Sequence, residues 1–364
     1  MENLEALAIL NSVPYLGPVK IRHLLKVFGS PLDILKLESK IFEELPGYGP
    51  RVARHWNYWE KDLAWKKEFE LAEQHSIQIL GINEPGYPKK LLDIPDAPII
   101  LYLKGNILPC DTRALAIIGT RNATRYGHEM AETMATELAF NGYTIVSGLA
   151  RGIDTTAHRS ALKHGRTIAV IGSGLLNLYP RENQELAHMI SQKGVLMSEF
   201  PLNTPPDRQN FPRRNRIVSG LSMGTLLIEA PEESGAMLTM HNAISQGRRL
   251  FAIPGRANEN SFKGNHLLIK TGKAQLVEGA HEIIAELENL PNIFQKPPTH
   301  SQKFVSLEPE EQNLLAQIPP RDLSFEEIIG LTKLKATQLN VLLMSLVLKN
   351  VIKEYPGKIY KKVV

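Results

Sequence analysis

The sequence predicts an α/β protein built on a doubly wound, mostly parallel sheet, with a helical segment before it and a small mixed domain after it. Three observations carry that reading. Between Arg113 and Leu290, six short apolar runs alternate with helical patterns. The runs are nearly continuous in Ala, Val, Ile and Leu, as strands are when helices cover both faces of a sheet. Regular alternation of β and α implies right-handed crossovers and a parallel sheet. A chain of 364 residues has room for two or three domains and a sizeable core.

Residues 1–75 read as a helical domain. Two similar pieces lie in it: Val13-Pro14-Tyr15-Leu16-Gly17-Pro18 before Val19 to Phe28, and Leu45-Pro46-Gly47-Tyr48-Gly49-Pro50 before Arg51 to Trp59. Each is a tight Pro/Gly turn followed by an amphipathic helix with basic residues near its start. The pattern looks like the helix-hairpin-helix (SAM-like) motif of non-specific DNA binders, and equally fits two αα-hairpins packed on each other. Residues 76–290 form the main domain. Its first part, Tyr87 to Leu92 and Pro98 to Gly105, reads as an extended cover segment. Strands are predicted at 114–118, 143–147, 167–171, 195–198, 224–229 and 249–253. Helices are predicted at 125–140, 155–164, 182–193, 235–247 and 280–289. Residues 291–306, with Pro297-Pro298, read as a linker. Residues 307–364 fit a small winged helix: a helix at 308–317, a capping-box start at Ser324 to Glu327, a long helix at 335–349, and two short strands flanking Pro356-Gly357.

Composition narrows the function. Hydrophobic residues make up 43% and charged residues 22%, values of a soluble globular protein. The net charge of +4 and pI of about 8.9 lean mildly toward anionic partners. A single cysteine, Cys110, excludes an intramolecular disulfide and a thiolate zinc cage. The first residues lack a signal-peptide pattern, and no apolar run reaches the roughly 18–20 residues of a membrane span. A cytoplasmic protein without a membrane segment is expected.

Five short motifs sit beside predicted strands. Gly119-Thr120-Arg121 follows the first parallel strand and suits a phosphate nest. Ser147-Gly148-Leu149-Ala150-Arg151-Gly152-Ile153-Asp154 packs a serine, two glycines, an arginine and an aspartate into a strand–helix junction, with Asp154 placed to N-cap the next helix. Phe211-Pro212-Arg213-Arg214-Asn215-Arg216 reads as a loop with three arginines in four residues, which calls for a counter-anion; Phe211 is positioned to stack on a base. The bland alternative puts Phe211 in the core and pairs the arginines with Glu199 and Glu229. Ser234-Gly235 opens a helix with free N–H groups, and Pro254-Gly255-Arg256 closes the sixth strand. Asp154 and His158 are spaced i, i+4, but two ligands are too few for a metal, so no metal is expected and His158 reads as structural. No G-x-G-x-x-G or Walker A motif occurs, no catalytic triad is recognisable, and no cofactor is expected.

Together these motifs resemble the bacterial DNA-processing protein A (DprA or Smf) family. The likeness runs from about Tyr87 to Ile284 and also takes in Thr167 to Gly174, Tyr179-Pro180 and Ser198-Glu199. The chain departs from the family pattern at Gly165-Arg166 and at Thr271 to Ala274, away from the anion-binding motifs. The resemblance implies a Rossmann-like central domain and a non-enzymatic protein of natural transformation. Such proteins bind incoming single-stranded DNA, shield it from nucleases and help load the RecA recombinase. It also implies a homodimer formed through the Rossmann-like domain, with Arg121 and Phe211 to Arg216 as the first strand contacts. Two other classes compete. A nucleotide phosphoribohydrolase would share the sheet, but its P-G-G-x-G-T-x-x-E motif is represented only by Leu221 to Glu229, with the glutamate one residue late. A transcription regulator would need base-reading side chains on the helix at 335–349, which is mostly apolar.

Overall fold

The computed structural model describes residues 2–56, 64–288, 307–319, 321–349 and 351–362. It divides into two compact units, residues 1–292 and 293–364. The predicted linker at 291–306 lies outside the described residues, as do 57–59 of the second N-terminal helix.

The first unit begins with helices α1 (Asn3–Ser12), α2 (Pro18–Phe28), α3 (Pro31–Leu35), α4 (Ser39–Glu44), α5 (Gly49–Trp56) and α6 (Ala64–Gln74). Strand β1 (Gln78–Gly81), the short helix α7 (Lys89–Leu92) and strand β2 (Ile100–Gly105) follow. The alternating core is β3 (Ala114–Ile118), α8 (Arg125–Phe140), β4 (Thr144–Ser147), α9 (Ile153–His164), β5 (Thr167–Val170), α10 (Gln184–Lys193), β6 (Val195–Ser198), α11 (Asn210–Leu221), β7 (Gly224–Leu227), α12 (Gly235–Ser245) and β8 (Arg249–Ala252). Helix α13 (Lys263–Lys270), strand β9 (Gln275–Leu276) and helix α14 (Ala280–Leu287) complete it.

The nine strands run in the order β1-β2-β6-β5-β4-β3-β7-β8-β9. From β6 to β9 all neighbours are parallel; β1–β2 and β2–β6 are antiparallel. The chain starts in the middle at β3, winds out to β6, then returns to β7 on the other side of β3. Side-chain alternation along β3 shows how both faces are buried. Leu115 and Ile117 pack with α8, α9 and α14; Ala114, Ala116 and Ile118 face the layer that contains α11 and α12.

Three expectations are corrected. The segment 87–105 is not merely an extended cover, because its second half is a sheet strand, β2, paired on both sides. Phe211 to Arg216 is not a loop but the first two turns of α11. Pro212 is tolerated there because the first turn of a helix needs no partner for its missing N–H. Asp154 does not cap α9: the helix starts one residue before it, after Gly152 with φ 73°. The Asp154 carboxylate instead accepts from Gly148 N at 3.0 Å and Ala150 N at 3.3 Å.

The second unit holds α15 (Pro309–Gln317), β10 (Leu323–Ser324), α16 (Phe325–Thr332), α17 (Ala336–Leu348), β11 (Ile352–Tyr355) and β12 (Ile359–Lys362). Its antiparallel sheet has the order β10-β12-β11. Ser324 accepts from Glu327 N at 3.2 Å and Glu327 accepts back from Ser324 N at 2.8 Å, so the reciprocal cap read from the sequence is present. Glu311, almost fully covered, takes Lys349 at 2.7 Å and Ser345 at 2.6 Å, tying α15 to α17. Among the described residues no helix is long and apolar enough to cross a membrane.

Candidate functional site

The strand order creates the site. Where a sheet reverses its winding direction, the loops at the strand C-termini splay apart and leave a crevice. Here the reversal falls between β3 and β7. A cleft of about 840 Å³ opens there, lined by Gly119, Thr120 and Arg121 after β3, Ala150 after β4, Tyr179 after β5, Arg208 before α11, and Ser234 and Gly235 after β7. Phe211, Arg214 and Asn215 from the start of α11 form its floor and one wall. A contiguous side recess adds Gly148 and Arg151.

Two glycines make this convergence possible. A Cβ on Gly148 would lie 1.5 Å from Arg214 Nη1, so the guanidinium rests directly on the backbone there. A Cβ on Gly152 would lie 2.4 Å from Thr120 O, so only glycine lets the β4–α9 loop close on the β3 loop. Leu149 between them has φ 58°, a strained value for a branched residue. That strain is held by neighbours: Leu149 N donates to His158 Nε2 at 3.3 Å, and its carbonyl accepts from Asn183 at 2.9 Å.

Arg214 is the electrostatic centre. It is 5% exposed, and its Nε is buried without a partner. Among the described residues it makes no hydrogen bond and no ion pair. Burial pulls its pKa down to about 10, with the Asp154 charge opposing the fall and Arg121 adding to it. It is therefore charged at neutral pH, buried, and open to an anion on its cleft side. A buried charge with no hydrogen-bonded counter-ion is costly, and the Asp154 charge offsets that cost only in part. Arg121 is exposed, lies over the Phe211 ring at 5.4 Å from its centroid, and likewise has no carboxylate in ion-pair range among the described residues. Phe211 is half-buried, against Gly172 and 5.9 Å from the Tyr179 ring. Burial raises the Asp154 carboxyl above its ordinary pKa, and the Arg214 charge works against that rise.

The other residues singled out in the sequence fall into supporting positions. Ser147 is buried and donates to Ile117 O at 2.7 Å, tying β4 to β3 rather than lining the cleft. Arg151 is exposed and pairs with Glu182. Arg213 points to the outside, with its guanidinium over Phe200 at 5.2 Å. Arg216 is buried between Glu199 at 2.5 Å and Asp96 at 3.0 Å, the pairing foreseen for Glu199 in the bland alternative. Neither Arg213 nor Arg216 lines the cleft. Asn215 donates to Gly235 O at 3.2 Å, and Ser234 caps α12 through Met237 N at 3.4 Å. Glu229 is likewise not paired with arginine. It lies under the start of α8, accepting from Thr124 N at 3.0 Å and Thr124 Oγ1 at 2.8 Å, and does not line the cleft. The phosphoribohydrolase reading needs that glutamate in the pocket. Sequence reasoning missed Tyr179 and Arg208 as lining residues. An aromatic after the third parallel strand and an arginine just before the arginine-rich run were the available signals.

Comparison with known proteins agrees with this geometry. The family model described as DNA recombination-mediator protein A matches residues 78–288, more than half of the chain. Protein Smf of Escherichia coli K12 is 40% identical over 262 residues, covering 71% of this chain and 67% of its own length. DNA processing protein DprA of Streptococcus pneumoniae R6 is 39% identical over 228 residues, covering 62% of this chain and 78% of its own. Among solved structures, DprA from Streptococcus pneumoniae superimposes with TM-score 0.69 at 34% identity, over 79% of this chain and 98% of that one. DprA from Helicobacter pylori, described for its single-stranded DNA binding mode, superimposes with TM-score 0.54 at 34% identity, over 58% and 96%.

Proposed function

This chain belongs to the DNA recombination-mediator protein A family, and from that premise we propose that it is a non-enzymatic single-stranded-DNA-binding protein of natural transformation. In this reading it holds incoming strands in the cleft between β3 and β7, protects them from nucleases and helps load the RecA recombinase. It acts as a homodimer formed through the Rossmann-like domain, in the cytoplasm, without a cofactor. The 1–75 segment is a helix-hairpin-helix-like domain and 307–364 a winged helix that contacts proteins more than DNA. The observation that carries the reading is the buried, unpartnered Arg214 at the floor of a switch-point cleft. A phosphate is the anion such a guanidinium fits best. Phe211 and Tyr179 give the same cleft aromatic surface for a base.

Contacts are to phosphate rather than to base edges, since the lining has one amide side chain, Asn215, and that amide is engaged with Gly235 O. The test is a titration with labelled single strands, duplexes and mononucleotides across a salt series. Single strands of unrelated sequence bind alike, with a log–log salt slope of about 0.7 per phosphate neutralised. Arg214→Ala weakens them by about 1.5–3 kcal/mol, roughly ten- to hundredfold. A flat salt response, a strong preference for one sequence, or parent-like binding by a folded Arg214→Ala protein overturns the reading.

A further inference from the structure

The N-terminal helices carry a second surface with nucleic-acid chemistry. Tyr15, in the turn between α1 and α2, is 57% exposed and has φ 66°. A tyrosine in the left-handed region is strained, and a strained exposed aromatic adds little to a core. Its ring lies 5.5 Å from the His55 ring, with the Arg51 guanidinium 5.7 Å from its centroid. Arg51 and His55 are one turn apart on α5, and Arg54 is exposed beside them. Lys20, on α2, lies 5.5 Å from the ring of Tyr48, whose own hydroxyl is occupied by Lys20 O.

No described carboxylate balances these cations. Glu43 and Glu44 are exposed on α4, which packs against α5, yet among the described residues no acidic side chain pairs with Lys20, Arg51 or Arg54. An exposed aromatic framed by uncompensated cations is the make-up of surfaces that stack unpaired bases between phosphate contacts. We propose that Tyr15, Arg51 and Arg54, with Lys20 at the edge, form a second contact for single-stranded nucleic acid, used by strands long enough to leave the cleft. The proposal rests on the cleft holding the same strand. Tyr15 stacks on a base and the arginines take the flanking phosphates.

The test uses the full-length protein and two labelled single strands, one of about 6 nucleotides, near the short end of common site sizes, and one of about 30, beyond their long end. Tyr15→Gly relieves the positive φ, so its unfolding temperature is at or above the parent's. Its affinity for the long strand nevertheless falls about three- to tenfold. The Arg51→Glu, Arg54→Glu double variant weakens long-strand binding and lowers the salt slope by about 0.7 for each phosphate that is no longer neutralised. Neither change alters binding of the short strand. Parent-like long-strand binding and slope in both variants overturn the proposal, as does a loss confined to duplex DNA. Failure of the cleft reading shows separately, as short-strand binding that does not respond to Arg214→Ala.

Discussion

A buried histidine sets how the cleft loop responds to acid. Thr167 donates its hydroxyl proton to Ile145 O at 2.6 Å, so toward His158 it accepts, at 2.6 Å from Nδ1. Nδ1 therefore carries the ring proton, and Nε2 accepts from Leu149 N. A second proton on Nε2 would face that N–H. Burial, with the Arg214 charge adding to it, depresses the pKa to about 3. The unfolded chain takes up this proton near pH 6.5 and the folded chain does not, so the stability held by neutral His158 is lost as pH falls. Asp154 acts in the opposite sense, since its raised pKa adds stability on acidification. Subtracting the His158→Gln variant removes that contribution. The stability advantage of the parent over His158→Gln should shrink by about 1.4 kcal/mol per pH unit below about pH 6, measured by urea unfolding; a pH-independent difference would refute the assignment. Gly148 gives a second prediction at this scale. Alanine there displaces the far end of the Arg214 side chain rather than backbone. Gly148→Ala should keep the parent's unfolding temperature within a few degrees while losing about tenfold in strand affinity; unchanged affinity counts against Arg214 as the floor contact.

At the scale of elements, the central parallel strands β3 to β8 were legible and the outlying strands β1, β2 and β9 were not. β3 and β6 match their predicted spans, and β4, β5, β7 and β8 differ by one or two terminal residues, because a strand buried on both faces leaves an uninterrupted apolar run; the two-residue parallel strand β9, exposed at both positions, was not predicted. β1 offers only Ile79-Leu80 between Gln78 and Gly81, and the apolar run Ile99 to Leu103 of β2 was read as cover because it follows a stretch broken by Pro95 and Pro98 and leads into Lys104-Gly105 rather than a helical pattern. α11 was hidden because its apolar side, Ile217, Val218 and Leu221, begins only after Phe-Pro-Arg-Arg-Asn-Arg. The site inherits that miss. Arg214 and Arg216 are two apart on a helix and point to different sides, whereas a loop reading made three equivalent arginines. The α2 helix also has a role its sequence did not announce. Arg22 donates to the carbonyls of Ile94 at 2.5 Å, Pro95 at 3.1 Å and Leu92 at 3.2 Å, fastening the helical segment to the chain that enters β2. Hydrogen bonds from a charged group contribute about 1.5–3 kcal/mol, so Arg22→Ala should destabilise the first unit by about that much in denaturant unfolding; an effect under about 0.5 kcal/mol would mean the carbonyls are satisfied without it.

At the scale of the whole molecule, the division at 292–293 predicts that the two units separate cleanly in function. The exposed side of α17 presents Val341 and Met344, 69% and 65% exposed, with only Gln338 and Asn340 as amides able to read a base edge and no arginine along it. Deleting residues 300–364 should leave single-strand affinity within about threefold of the parent, ~0.7 kcal/mol; a hundredfold loss would make the C-terminal unit part of the DNA site. The strand order has a consequence of another kind. β3 and β7 are neighbours in the sheet but more than a hundred residues apart in the chain, and every wall of the cleft depends on their pairing. A ribosome adds residues one end first, at about 5–20 per second. The loop after β3 thus leaves the exit tunnel seconds before α11 and α12 exist to oppose it. The nascent chain has no cleft through most of its synthesis and acquires one abruptly, once β7 slots in beside β3. Ligand capture by this fold is an all-or-nothing property of the nearly finished chain, and no N-terminal fragment ending before residue 224 can retain it.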